Sequence, residues 1–180
     1  TDIEMTFSVD GAGTASVATG IGFFDHMLTA LAKHSLMDIK LHCKGDLHID
    51  DHHSVEDCGI VLGQAIKEAL YPLGSVERYG NAVVVMDEAA VECALDLSNR
   101  PFLVYESQMN PKIGNFDSEL VEEFFRALAM NSGITLHIIK QRGTNSHHIA
   151  EATFKAFAVA FRRAVAKNDK IGIPSTKGVL

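Results

Sequence analysis

Asp51-His52-His53-Ser54-Val55-Glu56 is echoed by Ser146-His147-His148-Ile149-Ala150-Glu151, so the chain spells His-His-x-x-Glu twice. On a helix, residues three and four apart are neighbours. Both histidines of each pair therefore come within reach of the glutamate that follows, Glu56 or Glu151. Adjacent residues diverge by about 100° around the axis, so His52 and His53 can serve two different ions, as can His147 and His148. Imidazole suits Zn, Mn, Fe or Ni, and the carboxylate tilts the choice towards the harder ions.

The echo extends upstream. Placing Phe24-Asp25-His26-Met27-Leu28 over Val121-Glu122-Glu123-Phe124-Phe125 sets His26 on Glu123 and His34-Ser35 on Asn131-Ser132. His26 to His52 spans 26 positions and Glu123 to His147 spans 24, a difference that a strand connection absorbs. Each copy reads as a helix, two strands and a His-His-x-x-Glu helix, the pattern of an internal duplication. It predicts two quasi-equivalent metal sites from eight candidates: His26, His52, His53, Glu56, Glu123, His147, His148 and Glu151. Three or four protein ligands per ion leave positions open, as a catalytic metal requires.

Outward from these motifs, residues 2–9 alternate apolar and polar like a half-buried strand, and a turn at 10–13 leads to a second strand near 14–18. A helix follows from Phe23, with Phe24, Met27, Leu28 and Leu31 on one face. Strands are expected over 36–42 and 46–50, then a helix burying Cys58, Val61, Leu62, Ala65, Ile66 and Ala69, ended by Pro72 and Gly74. The second half reads as strands 79–86, 89–97 and 102–107, a helix over 118–130, strand 134–141 and the second motif helix. Phe154, Phe157 and Phe161 on that helix read as core packing. The tail, 171–180, is too punctuated by Gly and Pro for helix or strand and reads as an arm. The result is one α/β domain of two fused repeats, about 1–75 and 76–170, each with a small sheet and two helices.

Composition excludes other classes. A net charge of −7 without a basic stripe argues against a nucleic-acid binder. No apolar run approaches the ~18 residues of a membrane span, and the alternating start is unlike a signal peptide. Cys43, Cys58 and Cys93 are odd in number and scattered, as expected of small buried residues in a reducing compartment, which points to the cytoplasm. A plastid origin after removal of a transit peptide is compatible with the same features. His42, His48 and His137 lie in strand-like runs and read as scaffold, while His34 is open between substrate contact and a helix end. Arg78, Arg100, Lys155 and Lys177 occupy polar or turn contexts where a phosphate clamp would want donors, although solvated surface charge fits the spacing as well.

Gly-Phe-Phe-Asp-His-Met-Leu, Asp-Asp-His-His-Ser-Val-Glu-Asp, Asn-Ser-His-His-Ile-Ala-Glu-Ala-Thr-Phe-Lys-Ala and the closing Pro-Ser-Thr-Lys-Gly-Val-Leu together resemble the imidazoleglycerol-phosphate dehydratases over essentially the whole chain. The resemblance implies a duplicated fold with helices between two four-stranded sheets. It also implies paired manganese ions, two per chain, built between chains of a 24-subunit homo-oligomer, and dehydration of imidazoleglycerol phosphate to imidazoleacetol phosphate. The ligands it implies are His26, His52, His53, Glu56, His147, His148 and Glu151, and the contacts to substrate are Arg78, Arg100, Lys155, Ser175 and Lys177. Two departures stand out. Glu123 replaces a histidine common in the family, and the family's catalytic glutamate of a Lys-Glu-Thr motif would fall just before Thr1.

The chemistry explains such a site. The hydrogen to be lost sits on a carbinol carbon with no adjacent carbonyl, and a general base supplies only about 10²–10⁴-fold. If both ring nitrogens of the substrate meet metal ions, the imidazole becomes an imidazolate that can expel the hydroxyl on its attached carbon. A diazafulvene-like intermediate results, in which the neighbouring C–H is acidic. The alternatives are a dinuclear metallohydrolase, in which bridged ions activate water, and a metal-storage particle.

Overall fold

The computed structural model describes residues 1–178 and 180. In the first half, β1 (Asp2–Ser8) alternates as its sequence predicts and pairs antiparallel with β3 (Asp38–Lys44). β2 (Ala15–Ala18) lies parallel to β3 on its other side, giving the order β1-β3-β2. Helix α1 (Gly22–Ser35) precedes β3 and α2 (His52–Leu70) follows it. In the second half, β4 (Tyr79–Met86), β5 (Ala89–Asp96) and β6 (Phe102–Glu106) lead through a short hairpin, β7 (Lys112–Ile113) and β8 (Phe116–Asp117), to α3 (Glu119–Ser132). Then come β9 (Thr135–Arg142) and α4 (Ser146–Ala164). The sheet order is β4-β5-β9-β6, with β9 antiparallel to β5 and parallel to β6.

The halves follow one plan. In each, a central strand between two helices takes one antiparallel and one parallel neighbour; β4 is the added edge of the second. Helices α1 and α3 are both 14 residues, α2 and α4 both 19. His26 and Glu123 fall at the same position of their helices, and the residues after α1 and α3, Leu36 and Gly133, are both left-handed.

The helices lie between the two sheets, α1 beside α4 and α2 beside α3. Their shared core is aromatic: Phe24, Phe124, Phe125, Phe154, Phe157 and Phe161 are fully or almost fully buried. Phe154 stacks on Phe124 with ring centroids 5.3 Å apart, and Phe157 meets Phe125 edge-on at 5.4 Å. Helices α2 and α3 approach closely because α2 offers Gly59 and Gly63. A Cβ at either would stand 2.8 Å from the Phe124 carbonyl or 2.7 Å from that of Leu128. Of the stripe expected on α2, Cys58, Leu62 and Ile66 are buried, Val61 and Ala65 half-buried, and Ala69 exposed. All three cysteines are buried free thiols.

Two expectations need correcting. No strand forms over 46–50, so the first sheet has three strands and only the second has four. Both edges of β3 are already taken, by β1 and β2, which leaves the alternating Leu47-His48-Ile49 nothing to pair with. The segment turns instead, with Ile49 N–H donating to the Asp46 carbonyl at 2.8 Å. The β7–β8 hairpin was not anticipated, its strands being only two residues each. Among its described residues, 171–178 and 180, the tail forms no helix or strand, as expected of an arm, and Val179 lies outside the described residues.

Candidate active site

Helix α4 begins where Asn145 accepts hydrogen bonds from the backbone N–H of His147 (2.9 Å) and His148 (3.2 Å), satisfying two donors that the first turn leaves free. This cap fixes the first turn that carries the second motif. One turn on, Glu151 is almost buried at 7% exposure. Its Oε2 lies 3.2 Å from His147 Nε2 and 3.5 Å from Nε2 of His26, which α1 brings alongside. All three donor atoms lie within 4.8 Å of one another. Ligands about 2.0–2.2 Å from a common ion stand roughly 3–3.5 Å apart, so this set fits a divalent cation. The Phe23 ring flanks His147 edge-on at 5.3 Å and walls one side.

Lys155, a further turn along α4, places Nζ 2.7 Å from the other oxygen, Oε1. Burial alone would raise the Glu151 carboxyl. The hydrogen bond and charge of Lys155, then the field of His26 and the bond to His147, hold it below the ordinary carboxylate value. The acid thus stays ionised, as a ligand must. His34, eight residues beyond His26 on α1, is pushed below the ordinary histidine value by burial and then by the charges of Lys155 and Arg162.

The second candidate set is not gathered in the same way. His52 Nε2 lies 3.8 Å from Glu56 Oε2, and Glu123 is half-buried on α3, the helix packed against α2. Among the described residues, His26, His147 and Glu151 form the one three-donor cluster.

His53 and His148 turn elsewhere. His53 Nδ1 is 2.9 Å from Asp46 Oδ2, and His148 Nδ1 is 2.7 Å from Glu88 Oε2. The hydrogen bond to each carboxylate raises both histidines above their ordinary value. It lowers Asp46 in return and takes Glu88 to about 2. Sequence spacing missed Asp46 and Glu88 because neither lies three or four residues from its histidine on a helix; each sits in a connecting loop and arrives through the fold.

The basic residues meet in a separate cleft of about 790 Å³, where the C-terminal arm crosses the second sheet. Arg78, Arg100, Ser175 and Lys177 line it; Lys155 does not. Arg78 adopts a left-handed backbone (φ 68°) and grips Asp96 with two bonds, Nε–Oδ1 at 2.7 Å and Nη2–Oδ2 at 3.1 Å. Its Nη1 donates to the Pro174 carbonyl at 2.7 Å, so the guanidinium pins the arm as well as facing the cleft. Among the described residues no carboxylate pairs with Arg100 or Lys177. Two free cations and a hydroxyl around one hollow suit a phosphate dianion.

The family model described as imidazoleglycerol-phosphate dehydratase matches residues 19–161. The imidazoleglycerol-phosphate dehydratase of Campylobacter fetus subsp. fetus is 76% identical over 180 residues, all of this chain and 95% of its own. That of Aliarcobacter butzleri is 68% identical over the same shares. The crystal structure of the Staphylococcus aureus enzyme superposes with a TM-score of 0.87 at 40% identity, over 92% of this chain and 94% of the other. The Pyrococcus furiosus structure gives 0.82 at 34%, over 99% and 96%.

Proposed function

The chain belongs to the imidazoleglycerol-phosphate dehydratase family, hydro-lyases of histidine biosynthesis, and we propose that it removes water from imidazoleglycerol phosphate with the help of two manganese ions per chain. The observation that carries this reading is the His26–His147–Glu151 cluster, which in a chain of this family joins one copy of the repeated motif, on α4, to the histidine of α1. His52, Glu56 and Glu123 are the quasi-equivalent donors for a second ion. A divalent ion held by these residues would supply Lewis acidity to an imidazole ring and favour loss of its ring proton.

The chain's own groups divide the remaining work. Lys155 keeps Glu151 anionic. His34, about two turns along α1 from His26, is held towards the neutral imidazole and can hydrogen-bond the substrate chain. Arg100, Lys177 and Ser175 hold the phosphate, and Arg78 keeps the arm that presents two of them in place. Anchoring the far end of the substrate confines the ring to one position, which converts binding into alignment.

The cleft and the His26–His147–Glu151 cluster share no lining residue. His53 and His148 moreover present Nε2 away from the carboxylates that hold Nδ1. Both observations support a site assembled between chains, and the homo-oligomer of 24 subunits is what the resemblance to the family implies. Among the described residues no helix is long and apolar enough to cross a membrane. We place the particle in the cytoplasm, a compartment that keeps thiols such as its three free cysteines reduced.

The test is to strip the protein with a chelator, assay formation of the keto product, and add back Mn²⁺. The reading predicts loss and recovery of turnover, and no turnover of an N-methylated substrate whose ring cannot lose its proton. Full activity after stripping, or normal turnover of the methylated compound, would contradict it.

A further inference from the structure

His53 and His148 each engage a carboxylate through Nδ1, yet the two carboxylates have unrelated origins. Asp46 stands in the turn after β3, and Glu88 in the turn between β4 and β5. Duplication does not account for this. Counted from the central strands, the counterpart of Asp46 is Gly143; counted back from the histidines, it is Gln141, and neither is acidic. One arrangement has been reached twice from different parts of the fold.

Glu88 does more than touch the ring. Its Oε1 accepts from the backbone N–H of Thr144 (3.2 Å) and Asn145 (2.7 Å), and Asn145 is the cap of α4. One carboxylate therefore fixes both the start of the helix and the second imidazole upon it. A carboxylate only accepts, so in a neutral ring the Nδ1 beside it must carry the proton. The lone pair then lies on Nε2, pointing away. The acid on that side of His148, Asp87, keeps its Oδ2 3.7 Å from Nε2, beyond hydrogen-bond reach.

We propose that Asp46 and Glu88 are positioning residues that set the tautomer and direction of His53 and His148, reserving Nε2 of each for a divalent cation. The inference rests on the metal reading above for the identity of the ligand, and on the geometry of these pairs for the rest. Carboxylates that orient a ligating imidazole in this way typically contribute 10–100-fold to metal affinity.

Glu88→Gln and Asp46→Asn test it. The glutamine carbonyl can keep the bonds from Thr144 and Asn145, which forces its amide N–H₂ towards His148 Nδ1. Nδ1 must then accept, the proton moves to Nε2, and ligation is blocked with no atom lost in size. Asp46→Asn removes the charge from the other pair, where no backbone donor directs the amide, and is read by affinity alone. Solid-state nitrogen NMR of metal-free protein, well above the pH range of the imidazolium, should find Nδ1–H on both rings of the parent and Nε2–H on the His148 ring of Glu88→Gln. Manganese titration followed by EPR of the free ion should show about 10–100-fold weaker binding in each variant, with circular dichroism unchanged. A parent ring protonated on Nε2, or affinity unchanged in both variants, would overturn the proposal. A parent that binds no manganese would instead overturn the metal reading, and the metal-free spectra would still decide the orienting role.

Discussion

Replacing Asp96 by asparagine separates two roles open to Arg78. If Arg78 served only to touch phosphate, freeing it from Asp96 would strengthen its pull on the substrate. If it acts by fastening the arm, the same change should weaken binding, although Asp96 itself, being an anion, is no phosphate ligand. The pair is mostly buried, the side chains 11% and 20% exposed, and doubly bonded, with a third bond from Nη1 to the Pro174 carbonyl. A hydrogen bond between charged groups contributes roughly 1.5–3 kcal/mol. Asparagine retains one of the two bonds and loses the charge, so the lower end of that range applies, about 1.5 kcal/mol. Expressed through the arm that carries Ser175 and Lys177, this is about a tenfold rise in KM, since 1.4 kcal/mol is a factor of ten. The arm holds the unreactive end of the substrate, so kcat should change less than about twofold. Steady-state assay of the keto product gives both numbers, and trypsin should cut faster at Lys170 and Lys177 in the variant. A KM equal to or below that of the parent, with unchanged proteolysis, would refute the arm's dependence on Arg78.

Three further outcomes are expected. Glu88 has a depressed carboxyl (about 2, ordinarily 4.5) and His148 a raised imidazole (ordinarily 6.5), so their pairing stabilises the metal-free protein fully only between the two ordinary values. It is lost as pH falls towards 2 and as pH rises through the elevated histidine value, so urea midpoints across pH should lose both limbs of that contribution in Glu88→Gln. Lys155→Met leaves the buried Glu151 anion short of its cation; with Lys155 23% exposed, about 1–3 kcal/mol of stability should disappear at neutral pH. That difference should shrink on acidification below the ordinary glutamate value, as chemical denaturation of metal-free protein would record. Gly63→Ala would set a Cβ 2.7 Å from the Leu128 carbonyl and 2.8 Å from Asn131 Cβ, whereas Gly22→Ala meets nothing within 4 Å. Overpacking of this kind costs about 1–3 kcal/mol, lowering the thermal midpoint of the first by roughly 2–10 °C while calorimetry finds the second little changed.

Most of the architecture was legible because its signals are periodic. The alternation of Ile3, Met5 and Phe7, the helical spacing of Phe154, Phe157 and Phe161, and the twin His-His-x-x-Glu motifs all reflect local geometry that the fold then keeps. The internal alignment placed His26 over Glu123, and the two stand at matching positions of 14-residue helices. Legibility ended where the deciding partner was remote. Leu47-His48-Ile49 alternates like a strand, but whether a strand forms depends on a free neighbouring edge, and β3 has none. Helical spacing put His147 beside Glu151, yet only the packing of α1 on α4 brings His26 to the same oxygen. Asp46 and Glu88 were invisible for the same reason, since they meet their histidines across turns. Lys155 illustrates the converse. It stands four residues after Glu151, a helical interval, and there, rather than in the basic cleft, its ammonium is engaged.

The most direct test of the central claim is anomalous diffraction at the manganese edge, from catalytically competent crystals holding an imidazole-bearing substrate analogue. The account predicts a peak within bonding distance of His26 Nε2, His147 Nε2 and a Glu151 oxygen, with a ring nitrogen of the analogue completing its coordination. Active crystals with no anomalous scatterer among those three side chains would contradict it.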